Sequence, residues 1–207
     1  YEGGRAAALC RLKAAGIQER HLQDWTFASA TDTPSVQMAK RYTENWKKVK
    51  AENLGLLLWG DVGTGKSFLA ACIANALLEK GVPVLMTNFS KILNQMGAMY
   101  SDERYRYIAS FNRFSLLIID DLGIERNTEY ALEQVYAVVD ERYKAGLPLI
   151  ITTNLTISQL RNPEDVAHAR IYSRVLEMCT PVHVPGLDRR TAIGKSKQEL
   201  VKEVLFS

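Results

Sequence analysis

Gly60-Asp61-Val62-Gly63-Thr64-Gly65-Lys66-Ser67 fits the pattern G-x-x-x-x-G-K-[ST] of a phosphate-binding loop. Its flanks agree. Leu54 to Trp59 reads as a short buried strand, and Phe68 to Leu77 reads as a helix with an apolar stripe at Leu69, Cys72, Ile73, Ala76 and Leu77. Gly60, Gly63 and Gly65 let the backbone curl until successive N–H groups point inward. Those donors and the positive end of the following helix cradle phosphates. Lys66 places a point charge on the β- and γ-phosphates, which makes it a catalytic candidate as well as a binding one. The Ser67 hydroxyl ligates Mg²⁺. The expected nucleotide-binding run is therefore Gly60, Asp61, Val62, Gly63, Thr64, Gly65, Lys66, Ser67 and the adjoining Phe68.

Two further stretches point to the same chemistry. Ser115-Leu116-Leu117-Ile118-Ile119-Asp120-Asp121 reads as a buried parallel strand that delivers two carboxylates at its C-terminal edge. Asp120 would hold Mg²⁺ directly or through water. Asp121 would orient or deprotonate an attacking water. Leu149 to Thr153 is another buried strand, ending at Asn154. That amide suits the γ-phosphate or the attacking water, although Asn is also a common turn-former. Strands and helices alternate throughout, which predicts a parallel sheet with helices on both faces. Right-handed crossovers would bring the loop, Asp120–Asp121 and Asn154 to one edge of it.

The bulk properties are those of a globular α/β protein. The chain has 207 residues, 47% of them hydrophobic and 24% charged. A net charge of +3 is too small to argue for nucleic acid alone. Apolar runs are strand-length, so no membrane partner is expected, and no signal peptide is visible. The chain starts at Tyr1 rather than Met, which suggests a trimmed N-terminus. Cys10, Cys72 and Cys179 lie far apart, without a C-x-x-C pair, so neither a disulfide framework nor a zinc site is expected. A reducing, cytoplasmic setting fits.

The remaining segments carry open alternatives. Residues 1–50 read as an N-terminal helical segment leading into an ATPase domain at 51–207. Asp24-Trp25-Thr26-Phe27 is an aromatic knot, either a packing plug or a wall for an adenine ring. Thr33-Pro34 opens a helix to about Lys50, with Val36, Ala39, Tyr42, Thr43, Trp46 and Val49 inward. Residues 89–112 form a helical insert between two strands. It carries Tyr100, Arg104, Tyr105 and Arg106, a mixture that suits single-stranded nucleic acid and equally an ordinary amphipathic hairpin. Arg170 and Arg174 lie one helical turn apart, about 6 Å. They can reach a phosphate bound by a neighbouring subunit, or form surface salt bridges. Arg189 and Arg190 precede a basic tail.

Taken together, the loop, Leu117-Ile118-Ile119-Asp120-Asp121-Leu122-Gly123, Ile151-Thr152-Thr153-Asn154-Leu155 and Arg170-Ile171-Tyr172-Ser173-Arg174 resemble the DnaC/IstB branch of AAA+ ATPases from about Gly16 to Arg190. The resemblance implies a three-layer sandwich around a five-stranded parallel sheet, with little or no C-terminal lid. It implies ATP/ADP and Mg²⁺ as cofactors and slow ATP hydrolysis. Asn154 matches the family's sensor-1 position. Arg174 matches its arginine finger, acting in trans between self-assembled subunits, with Arg170 one turn before. Arg190, together with Arg189, matches the sensor-2 neighbourhood. The insert matches the region that contacts single-stranded DNA. A helicase loader that delivers the replicative DNA helicase is the implied role. An IstB-type transposition helper, a P-loop nucleotide kinase and a non-hydrolysing assembly module are the rivals. Asp121 stands where many AAA+ proteins have Glu, and the shorter carboxylate implies slow turnover.

Overall fold

The computed structural model describes residues 2–123 and 128–186, with Val201 and Val204 in addition. Helices α1 (Glu2–Gly16), α2 (Arg20–Gln23), α3 (Pro34–Glu44) and α4 (Trp46–Ala51) precede β1 (Gly55–Trp59). The glycine loop leads from β1 into α5 (Lys66–Glu79). Then come β2 (Val84–Asn88), α6 (Phe89–Met96), α7 (Ser101–Ser110) and β3 (Leu116–Leu122). Helix α8 (Glu129–Ala145), β4 (Leu149–Thr153), α9 (Ile157–Arg161), α10 (Val166–Met178) and β5 (Cys179–His183) follow.

The strands form one parallel sheet in the order β2-β3-β4-β1-β5. Their side chains sort by the period of two that a pleated strand imposes. Leu56, Leu58, Ile118 and Ile150 pack beneath α3, α4 and α5. Leu57, Leu117, Ile119, Leu149 and Ile151 pack on the opposite face beneath α6, α7, α8 and α10. Both faces are covered, which explains the unbroken apolar runs of β1, β3 and β4. The expected α/β fold with a five-stranded parallel sheet is the fold observed.

Local differences have physical causes. The helix expected from Thr33 to Lys50 is interrupted at Asn45, whose side-chain amide donates to the Arg41 carbonyl at 2.8 Å and competes with the helical ladder. Its predicted inner face, Val36 through Val49, is nonetheless buried. Helix α5 shows no single stripe, because the N-terminal helices cover the side that the sheet leaves open. Ala70, Ala71, Ala74 and Asn75 are buried along with Leu69, Cys72, Ile73 and Leu77, while Ala76 is the partly exposed one. At the start of α7 Tyr100 occupies the cap, and its N–H donates to Glu103 Oε2 at 2.9 Å.

The N-terminal segment is part of the packed body. Ile17 is fully buried and bridges Met86 in parallel, extending the sheet edge past β2. Gly16 is required there, since a Cβ would lie 2.1 Å from the Val84 carbonyl oxygen. Asn75 on α5 donates to the carbonyls of Leu22 (2.9 Å) and Trp25 (3.0 Å), tying the segment to the helix that leaves the glycine loop.

Candidate functional site

The glycine loop has the curled backbone its sequence predicts. Gly60, Gly63 and Gly65 have φ of 149°, 80° and 98°. Gly65 is left-handed at the N-cap of α5, a conformation that Gly enters without steric cost. Gly60 has a second constraint, because a Cβ would meet the Val184 carbonyl oxygen at 2.7 Å. Thr64 is buried and its hydroxyl donates to the Asp61 carbonyl at 3.0 Å. Lys66 is also buried. Its ammonium donates to the carbonyls of Gly60 (2.9 Å) and Asp61 (2.6 Å), which holds it over the loop. Asp61 and Val62 are exposed at the loop tip.

The acidic end of β3 meets this loop directly. Ser67 and Asp120 line one cavity together. Burial pushes the Asp120 carboxyl above the ordinary carboxylate range, and the hydrogen bond from Thr152 pulls against that rise. Beyond Ile119 the β3–β4 register slips. Ile119 faces Ile151 while Leu122 faces Thr153, so β3 carries one extra residue, a β-bulge. Asp121 sits in the bulge at φ 60°. Thr152 holds it there. Its hydroxyl donates to Asp120 Oδ1 at 2.6 Å and accepts the Asp121 N–H at 2.9 Å. Thr153 makes the matching bond beyond the bulge, donating to the Leu122 carbonyl at 2.7 Å. In the sequence both threonines belong to the motif that runs to Leu155, but only Asn154 carried a role there.

Two cavities flank the loop. One, of about 470 Å³, opens beside Thr64, Gly65 and Phe68, between the start of α3 (Thr33, Pro34, Val36) and the end of β5 (Val182, Pro185). It is mostly apolar and large enough for a purine ring. Trp25 does not line it. That ring packs on Phe68 at 5.7 Å and on His21 at 5.2 Å, and lines the second, smaller cavity instead. The second cavity, about 110 Å³, is lined by Ser67, Asp120, Asp121 and Glu19. This oxygen-rich set fits Mg²⁺, which takes few protein ligands and keeps several waters. Among the described residues no cluster of three or more His, Cys, Asp or Glu is arranged to hold a metal unaided. Ser67 and Asp120 would therefore share the ion with phosphate oxygens.

Other expected residues sit elsewhere. Asn154 is exposed at the C-terminal end of β4, between the strands that carry the loop and the aspartates. Arg170 and Arg174 are not brought to their own chain's loop. Arg170 stacks over Tyr136 at 4.4 Å. Arg174 stacks over Tyr143 at 4.0 Å and pairs with Asp140 (3.5 Å) and Glu177 (3.4 Å). Arg189, Arg190 and the basic tail lie outside the described residues. On the insert, Tyr100 and Tyr105 are 82% and 70% exposed, and Arg106 faces solvent beside them. Arg104 contacts Tyr130.

Sheet, loop and acidic strand end together define a AAA+ P-loop ATP-binding domain. The chain belongs to the IstB-like ATP binding protein family, which it matches over residues 4–193. It is 28% identical over 162 residues to the replicative helicase loader DnaI of Bacillus subtilis (strain 168), covering 73% of this chain and 50% of that protein. It is 24% identical over 151 residues to Rv3427c, a protein assigned to an insertion sequence of Mycobacterium tuberculosis (strain ATCC 25618 / H37Rv), covering 72% and 59%. The chain thus spans a little over half the length of these curated relatives. The crystal structure of DnaI superposes with a TM-score of 0.68 at 22% identity, over 86% of this chain and 99% of that one. No helix among the described residues is long and apolar enough to cross a membrane.

Proposed function

We propose that this chain is the ATP-hydrolysing part of a helicase loader, with residues 51–207 as the ATPase domain and residues 1–50 as its N-terminal helical segment. The observation that carries hydrolysis is the cavity that Ser67 and Asp120 share with Asp121, which stands in its bulge. Ser67 and Asp120 would hold Mg²⁺, whose charge would offset that of the phosphates. Lys66 exchanges its loop carbonyls for phosphate oxygens. Asp121 and Asn154 orient the attacking water, and the apolar cleft beside Phe68 takes the base. Such chemistry is positioning and charge neutralisation. Arg174 of a neighbouring subunit completes the site, with Arg170 and Arg190 as further nucleotide contacts.

The loader role is supported by the similarity to DnaI. DNA binding is supported by the insert, where Tyr100 and Tyr105 offer exposed rings for base stacking and Arg104 and Arg106 offer charge. Replacing both arginines by Ala should weaken single-stranded DNA binding and flatten its salt dependence. An unaltered slope returns the insert to packing. The similarity to Rv3427c favours a second reading, a transposition helper with the same ATPase core. Pull-down with the host's replicative helicase, with and without ATP, separates the two. Nucleotide-dependent capture is expected, and no capture in either state overturns the loader reading.

A further inference from the structure

The small acidic cavity beside the loop is lined in part by a residue from far upstream. Glu19 lines it together with Ser67, Asp120 and Asp121, and so do Thr87 and Asn88 at the end of β2. Glu19 is not a loose surface acid. Before it, Ile17 is fixed to Met86 at the sheet edge. After it, Leu22 and Trp25 are fixed to Asn75 on α5. Gln23 closes the turn by donating to the Ile17 carbonyl at 2.8 Å. The carboxylate itself receives Lys91 of α6 and lies 3.5 Å from His21. Every element around the segment therefore contributes to aiming this side chain.

The cavity, of about 110 Å³, has room for several waters. Mg²⁺ is reluctant to shed its waters. An ion shared by Ser67, Asp120 and phosphate oxygens would keep some, for which this cavity has room. A water polarised by a divalent ion donates strongly to a carboxylate.

We propose that Glu19 is a positioning residue of the magnesium–nucleotide site, accepting hydrogen bonds from waters that remain on the Mg²⁺ held by Ser67 and Asp120. The proposal rests on the nucleotide-site reading above and adds a residue from the N-terminal segment to it. Glu19 adds a further negative charge to the cavity that Asp120 lines. Lys91 moderates that charge. Glu19 is thereby kept as an acceptor for water rather than a competing direct ligand. Pairing with Lys91 alone would explain the contact but not the place of Glu19 in the lining of the cavity.

The test is a MgCl₂ titration of the binding of a fluorescent ATP analogue, on the whole chain. Glu19→Gln keeps the shape and removes the charge. It should raise the half-saturating Mg²⁺ concentration about tenfold, the scale of a lost outer-shell partner, while affinity in EDTA stays at the wild-type value. Glu19→Asp should fall between. Lys91→Met leaves the carboxylate uncompensated and should lower the half-saturating concentration. A wild-type Mg²⁺ response in Glu19→Gln overturns the proposal. So does a rise of the same size in both Glu19→Gln and Lys91→Met, which would mean that only the ion pair matters. If nucleotide affinity of the unaltered protein ignores Mg²⁺, it is the nucleotide-site reading itself that fails.

Discussion

Replacing Thr152 by Val tests whether one hydroxyl organises the acidic end of β3. Thr152 is fully buried, and Val has nearly its shape, so no cavity opens. Two interactions disappear. The bond to the Asp120 carboxylate, 2.6 Å long, is of the charged kind, about 1.5–3 kcal/mol. The Asp121 N–H loses its acceptor at 2.9 Å, which costs about 1 kcal/mol for a half-buried donor. The bulge also depends on this anchor. Asp121 stands at φ 60°, a conformation about 1–2 kcal/mol unfavourable for a residue with a Cβ. The expected loss of stability is about 3 kcal/mol, a melting decrease of roughly 6–12 °C for a chain of this size. Function falls further than stability. Asp120 loses the bond that opposes its upward shift, so its carboxyl is protonated more readily and binds Mg²⁺ less well. Asp121 is free to leave the bulge. Hydrolysis at saturating ATP should drop about tenfold or more, with ATP binding in EDTA unchanged. Thr152→Ser retains the hydroxyl and should stay within about 1 kcal/mol of wild type. Differential scanning fluorimetry and phosphate-release assays read both effects. Wild-type turnover and Mg²⁺ response in Thr152→Val would refute the reasoning, because the bulge would then be held by backbone alone.

Lys66→Ala should abolish tight ATP binding, and an unchanged affinity by titration would sink the assignment of the loop. Arg174→Ala should bind ATP yet lose turnover, by about 10³-fold or more if it acts as an arginine finger. Mixing the two variants should restore activity, and a mixture as inactive as its components argues against action in trans. Arg142→Leu removes a fully buried guanidinium that donates to the carbonyls of Phe111, Phe114, Ser115 and Pro148. Burial lowers its pKa to about 10, so the charge is held at a cost. Stranding those carbonyls should still lose about 4 kcal/mol, or roughly 8–16 °C, without altering ATP affinity. Asp120→Asn should end Mg²⁺-dependent binding but raise the melting temperature near neutral pH. The sign follows from burial. A carboxyl whose folded pKa is raised adds stability below its unfolded pKa and loses it as pH rises through the folded value. The advantage of Asn should therefore vanish below about pH 4, the ordinary Asp range, and a melting gain that is independent of pH would refute it.

What could be read from the sequence was whatever is encoded locally. Gly60–Ser67 carries its own conformation in its glycines. Four apolar residues before Asp120 announce a buried strand, and the alternation of elements announces a parallel sheet. The inner face of residues 36–49 was legible because burial follows helical spacing even across the break at Asn45. What escaped is set by pairing between distant segments. The bulge at Asp121 exists only in the register of β3 against β4, so neither strand reveals it alone. Thr152 reads as a β-branched strand residue until that register places its hydroxyl between two aspartates. Arg142 looks like a surface cation in the last turn of α8 until the ends of β3 and β4 and the turn after α7 are folded around it.

Glu19 shows the same limit at the functional site. Lys66, Ser67 and Asp120 declare their chemistry by motif, because phosphate and metal demand particular atoms at particular spacings. The side of a site facing away from the phosphates makes no such demand. Any segment that can lay a polar residue there will serve, and here it is the turn after α1, seated by Ile17 at the sheet edge and by Asn75 beneath it. Lys91, at the start of the insert, reaches the same carboxylate. One side chain therefore lines the small acidic cavity and also pairs with the helices proposed to meet DNA. Movement of the insert on DNA would have to strain or release the Lys91–Glu19 pair. The acidic cavity and the insert are thus joined through Glu19, a residue that belongs to neither motif.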